Sequence, residues 1–180
     1  MLRTFLSGFL VVFALNGASH ANELKTCIAQ VAQMDAGNKR AFHTGMRDLI
    51  VREAPQFEEL AGVYQDHQMA LVDQRLRQLQ YLLFTNPQQL SVDETVSKLT
   101  NYDWNELDTA RMAKVAPEYK ALTERIAGLE ARNNAHPDWP KLRAFVAKDL
   151  SANKEFEALK TKLWNGRDAA NAHLKSCRGG

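Results

Sequence analysis

The chain has 180 residues, of which 45% are apolar and 24% charged, with only nine Gly and five Pro. This length and composition suit one ordinary globular domain, and they exclude collagen-like and intrinsically disordered chains. The net charge of +2 lacks the strong basic excess of a nucleic-acid-binding protein, so nucleic acid is not an expected partner.

The first 21 residues have the three zones of a secretory signal peptide. Arg3 supplies the positive charge, residues 5–15 form an almost unbroken apolar run, and small residues precede a cleavage site before Asn22. The apolar run is much shorter than the roughly 20 residues that a membrane-spanning helix needs. We therefore predict a signal peptide over residues 1–21 and an exported mature domain, periplasmic or secreted, without a transmembrane segment.

The only two cysteines lie near the two ends of the mature chain. Cys27 follows the predicted cleavage site closely, and Cys177 is close to the last residue. An even pair in an exported protein favours a disulfide. Two free thiols in a metal or redox site are the alternative, but there is no CxxC spacing and we expect no His beside the pair. A disulfide would hold both ends of the chain within about 7 Å, Cα to Cα.

Apolar residues recur at helical spacing along the mature chain, and no segment alternates apolar and polar residues as a strand would. Pro55 suits the first turn of a new helix, so we place a turn just before it. The first helix therefore ends near Glu53, and the second runs until the Thr85-Asn86-Pro87 stop. The second helix is apolar over a wide face and should be well buried.

Two capping-box patterns and one proline organise the middle of the chain. Ser91 with Glu94 predicts the start of a short helix of about Val92–Leu99, and Asp103 with Glu106 predicts the start of a longer one. Pro117 lies inside that longer helix, where we expect a kink or a brief break.

A final helix is predicted over residues 142–177, with Cys177 on its apolar stripe. Four helical segments joined by short turns indicate an all-α, antiparallel up-down-up-down bundle, which brings both chain ends to one pole. The alternative is an extended long helical hairpin, in which residues 22–84 form one helix and residues 104–177 return along it.

Charge is distributed unevenly along the predicted mature chain, because the last 40 residues are basic and the rest is slightly acidic. Residues 141–180 carry nine basic and four acidic residues, whereas residues 22–140 have a small acidic excess. We attribute this asymmetry to solvated helix faces, and a docking surface for an anionic partner is the alternative.

No motif for hydrolase, nucleotide-binding or covalent haem chemistry is present, so we expect neither enzymatic activity nor a cofactor. One arrangement of possible ligands is notable. His67 occupies an apolar helix position, and a turn at Ala54 would bring His43 level with it, with Met46 one turn away. Such a set could hold haem b or a soft metal ion. The simpler interpretation is a buried, hydrogen-bonded imidazole.

Two aromatic residues are candidates for contact with a partner. Trp139 lies in a loop between two prolines, and Tyr102 belongs to the longest irregular connection, residues 85–103. Aromatic residues are typical interface anchors, and long connections often carry function. We expect an interaction protein of a bacterial envelope that binds another envelope protein, as an adaptor, chaperone, inhibitor or immunity-type binder.

Overall fold

The computed structural model describes residues 12–92 and 94–178, and all regular structure in these residues is helical. The α-helices are α1 (Val12–Glu53), α2 (Glu58–Thr85), α3 (Val96–Leu99), α4 (Glu106–Val115), α5 (Pro117–Ala135), α6 (Trp139–Lys148) and α7 (Lys154–Ser176). Short 3-10 turns cover Pro55–Phe57, Pro87–Gln89 and Leu150–Ala152. The predicted all-α class is confirmed.

The predicted signal peptide falls largely outside the part of the chain that can be described. Residues 1–11 lie outside the described residues, and α1 begins at Val12 and continues through the predicted cleavage position. Among the described helices, none combines the length with the apolarity that a membrane span requires. The signal peptide and its cleavage before Asn22 stay predictions.

Four long elements pack side by side in the order α5–α2–α1–α7. Helices α1 and α2 are antiparallel, because Arg40 pairs with Asp73 and Thr44 pairs with Gln65. Helix α7 returns along α1 to the disulfide. Within the described residues, α5 and α7 have no extended contact with each other. The arrangement fits the predicted up-down-up-down order. The long-hairpin alternative is wrong, because residues 22–84 form two helices that pack against each other.

The prolines act as the sequence indicates. Helix α1 ends at Glu53, and Pro55 opens the following 3-10 turn. Helix α4 ends at Val115 and α5 begins at Pro117, which confirms the predicted break. A proline lacks the backbone N–H that helix continuation requires, but it is well tolerated in the first turn.

Both predicted capping boxes are wrong in position. The short helix begins at Val96, where the Thr95 hydroxyl accepts from the backbone N–H of Lys98 at 3.4 Å. Helix α4 is capped by a reciprocal box between Asn105 and Asp108. Several capping residues lie close together in both segments, so local pattern alone does not select the one that is used.

The predicted single helix over residues 142–177 is also wrong, since it is split into α6 and α7. The 3-10 turn Leu150–Ala152 separates them. Asn153 then caps α7, with its side-chain oxygen accepting from the backbone N–H of Glu155 at 2.7 Å. Residues that compete with the helical backbone for hydrogen bonds favour such a break.

The apolar core is divided between the two ends of the α1–α2 pair. The disulfide-end cluster joins these helices to α7 and to the 86–105 connection; it includes Ile28, Val31, Leu79, Leu82, Leu83, Leu90, Val96, Leu99, Tyr102, Ala170 and Leu174. The turn-end cluster joins them to α6 and the start of α7; it includes Met46, Leu49, Ile50, Phe57, Leu60, Leu142, Leu150 and Phe156. A smaller cluster of Ala70, Ile126 and Leu129 attaches α5 to α2. Between the two larger clusters, charged residues are interspersed among apolar ones.

Candidate functional site

A groove of about 330 Å³ opens between the disulfide-end and turn-end clusters. Helices α1 and α2 form its floor, and Leu163 and Arg167 of α7 form one wall. Apolar side chains dominate the floor; they include Ala32, Ala36, Phe42, Leu71, Val72 and Leu76. A concave, mainly apolar surface with a few polar groups is typical of a ligand-binding site. We call this feature the central groove.

The most unusual polar group of the central groove is the carboxylate of Asp35, which is only 2% exposed. Its Oδ2 lies 2.6 Å from Lys39 Nζ, and its Oδ1 lies 3.6 Å from Arg167 Nε. Within the described residues, neither Oδ1 nor Arg167 Nε has a hydrogen-bond partner. Burying incompletely bonded charged groups costs free energy, so such groups call for a functional explanation.

His43 adds a second buried and incompletely bonded group to the groove. Its Nδ1 is buried without a hydrogen-bond partner among the described residues, and its ring packs against Phe42 and Tyr64. Burial, and secondarily the charge of Lys39, lowers the pKa of His43 below its usual value. The imidazole is therefore mainly neutral at pH 7 and able to form one more hydrogen bond.

The groove is positively charged overall. Lys39, Arg75 and Arg167 line it, and Asp35 is the only acidic residue among the lining residues that the structure describes. The Arg167 guanidinium lies 4.9 Å from the ring centroid of Trp164, which is 54% exposed. An exposed Trp beside an Arg is a typical anchor in protein interfaces.

Sequence reasoning missed this group of residues, although a signal was present. Asp35 and Arg167 each interrupt the apolar stripe of their helix, and charged residues at buried helix positions are rare unless paired. Sequence alone could not show that the two interruptions face each other across α1 and α7.

Tyr102 does not lie on a surface that a partner could reach, contrary to its selection as a partner-binding candidate. It is 7% exposed, and its hydroxyl donates to the backbone carbonyl of Arg75 at 2.8 Å. The same hydroxyl lies 3.2 Å from Gln78 Oε1, and Gln78 Nε2 donates to the Tyr119 hydroxyl at 2.8 Å. Burial raises the pKa of Tyr102 to about 12. Tyr102 is therefore a core residue that fixes the long connection onto α2.

Trp139 is half-buried rather than fully exposed, because it starts α6 and packs on the turn-end cluster. Its ring lies 5.8 Å from that of Tyr64, centroid to centroid. Both rings line a second cavity of about 270 Å³ next to α6. A partner role for Trp139 stays a prediction.

The three residues of the proposed ligand set, His43, His67 and Met46, lie in different environments. His43 lines the central groove, Met46 is buried in the turn-end cluster, and His67 is half-buried on α2. The ring contacts of His43 are with Phe42 and Tyr64. The haem or soft-metal hypothesis therefore stays an untested alternative.

The predicted disulfide is present, with the Cα atoms of Cys27 and Cys177 5.8 Å apart. The expectation that no His lies beside the pair is wrong, because His173 Nε2 is 4.0 Å from Cys27 Sγ. His173 and Cys177 are four residues apart on α7, a spacing that puts both on one helix face. That spacing was the available signal.

Comparisons of the chain with protein-family models, curated proteins and solved structures find no significant match to any of the three.

Proposed function

We propose that the protein is an exported, non-enzymatic binding protein of the bacterial envelope that works by holding a segment of another envelope protein in the central groove. The partner segment carries apolar anchor residues with acidic residues beside them. The observation that carries this proposal is the groove between the two core clusters, where the buried Asp35 Oδ1 and the buried Nε of the half-buried Arg167 leave hydrogen-bonding capacity unused.

The open shape of the groove favours a protein segment that lies across it over a small ligand that is fully enclosed. Its volume of about 330 Å³ is at the low end of the range for ligand pockets. A segment bound there would extend over the exposed Arg75, which lines the groove, and over the exposed Trp164, which stacks on Arg167. An amphipathic helix that places its apolar face in a groove between helices is a common mode of this kind of recognition.

The positive charge of the groove favours a partner segment with acidic residues. Three cationic side chains line it, and only the carboxylate of Asp35 opposes them among the described lining residues. The basic excess of residues 141–180 extends this positive field along α7. Complementary charge increases the association rate and excludes basic partners. Export is supported by the predicted signal peptide and by the disulfide, which persists in oxidising compartments.

Site-specific photo-crosslinking of the oxidised protein in periplasmic extract of its own organism tests the proposal. A photoreactive amino acid at position 164 should capture one envelope protein through an acidic amphipathic segment, identified by mass spectrometry of the crosslinked peptide. The same amino acid at exposed position 130 of α5 is the control and should capture nothing specific.

Charge reversal at the edge of the groove provides the second arm. Arg75→Glu should reduce the crosslink yield about tenfold or more, because an exposed cation beside the partner's acidic residues is reversed. Arg125→Glu, on an exposed position of α5, is the matched control. Equal capture from both crosslinker positions, or equal effects of the two reversals, would overturn the proposal.

A further inference from the structure

We infer that reduction of the Cys27–Cys177 disulfide creates a binding site for a thiolate-preferring metal ion such as Zn²⁺, with His173 as the third ligand. This inference is independent of the central groove. It rests on the convergence of three ligand atoms at the end of the molecule where the disulfide lies.

The three ligand atoms lie within 4.8 Å of one another, and all three residues are half-buried. With Zn–S bonds of about 2.3 Å and a Zn–N bond of about 2.0 Å, a tetrahedral site needs sulfur and nitrogen about 3.6 Å apart. Cys27 Sγ and His173 Nε2 are already 4.0 Å apart. This sulfur–nitrogen distance is therefore a few tenths of an ångström longer than the site needs, and the distance from Cys177 Sγ to the imidazole is at most 4.8 Å.

The larger movement concerns the two sulfur atoms, which must separate to about 3.8 Å in a tetrahedral zinc site. Cys177 is the C-cap residue that directly follows α7, and its backbone N–H donates to the carbonyl of His173 at 3.1 Å. A residue at a helix end adjusts more easily than one in the interior, because fewer backbone hydrogen bonds fix it. Cys27 lies within α1 and provides the fixed side of the site.

The chemistry balances with a dithiol as reductant. The dithiol transfers two electrons and two protons to the disulfide, is itself oxidised to a disulfide, and leaves Cys27 and Cys177 as thiols. Zn²⁺ then displaces one proton from each thiol and binds both thiolates and the neutral imidazole. Three protein ligands leave a fourth position open for water.

The consequence for the molecule is that α1 and the end of α7 stay joined in both redox states. Under oxidising conditions the covalent bond links α1 to α7, and under reducing conditions the metal ion does so. Metal bound to the folded form stabilises that form by mass action.

Cobalt(II) serves as the spectroscopic probe for this site. The full chain is oxidised or reduced, freed of metal, and titrated with Co²⁺, and Zn²⁺ is then added in competition. Reduced protein should show a thiolate-to-cobalt charge-transfer band at one equivalent that Zn²⁺ abolishes, whereas oxidised protein should show none. His173→Ala should weaken binding about tenfold or more, and His136→Ala, in the loop between α5 and α6, should leave it unchanged.

Circular dichroism covers the case in which the reduced, metal-free chain loses its fold. Zn²⁺ should then restore the helical signal in the parent protein and fail to do so in His173→Ala. The inference is overturned if the oxidised and reduced proteins bind Co²⁺ alike, if His173→Ala binds as the parent does, or if Zn²⁺ does not restore helicity to an unfolded reduced chain.

Discussion

Removing the Cys27–Cys177 disulfide should lower the free energy of unfolding substantially while leaving the helices in place. The bridge closes a loop with a sequence separation of 150 residues. The chain-entropy model gives about 5 kcal/mol for a loop of this length, and measured values are often smaller, so we expect about 3–5 kcal/mol. The native helices should persist, because α1 packs along both α2 and α7 without needing the bridge.

Urea unfolding followed by circular dichroism measures this effect. The oxidised protein is compared with Cys27→Ser/Cys177→Ser in the presence of a chelator, which removes any contribution from bound metal. With a slope of about 2 kcal/mol per molar urea, the midpoint should fall by about 2 M. The single variant Cys27→Ser is the control and should match the double variant. A stability loss below about 1 kcal/mol, or loss of the helical signal without urea, would refute the reasoning.

Three further variants test the packing, and the spectrum and metal content of the parent protein test the haem or soft-metal hypothesis. Burial favours the neutral phenol of Tyr102, so this residue contributes its full stabilisation below pH 10 and loses it as the pH rises towards 12. In urea titrations, the free energy of unfolding of Tyr102→Phe should therefore fall by about 2–3 kcal/mol less over this pH range than that of the parent protein. Gly128→Ala should raise the unfolding free energy by about 0.5–1 kcal/mol, because the added methyl group meets nothing within 4 Å. Gly166→Ala should raise it less than Gly128→Ala does, because that methyl would lie 2.5 Å from the Asn38 amide, which has to move away. The purified oxidised protein should show no haem band and no stoichiometric metal.

Each of these expectations has an outcome that contradicts it. The account of Tyr102 fails if the parent and Tyr102→Phe lose stability equally between pH 10 and pH 12. The account of the α1–α7 contact fails if the alanine variants of Gly128 and Gly166 change stability in the same direction by the same amount. A haem band or a bound metal ion that disappears in His67→Ala would favour the haem or soft-metal alternative over protein binding.

Sequence pattern was sufficient for the fold class, the disulfide and the proline breaks, since each depends on a strong local constraint. A new helical segment begins at Pro55 and at Pro117, and two cysteines have one possible intramolecular pairing. The split between α6 and α7 was missed because apolar residues keep helical spacing on both sides of Asn153. Helical periodicity indicates which side chains are buried, but it does not indicate a single turn that changes the direction of the backbone.

The candidate site was harder to predict than the fold. The pairing of Asp35 with Arg167 depends on the register between α1 and α7, and no local pattern specifies that register. Tyr102 was predicted to contact a partner because it lies in a long irregular connection, but this connection packs against α2. In both cases, a polar side chain is held by a contact with a residue that is distant in the sequence.

The divided core has a consequence for how the molecule opens. Different parts of the chain cover the two apolar clusters: the 86–105 connection covers one, and α6 covers the other, while α1 and α2 run through both. Either covering segment can therefore detach without exposing the opposite cluster. We therefore expect amide exchange to be slower in α1 and α2, which contribute to both clusters, than in either covering segment.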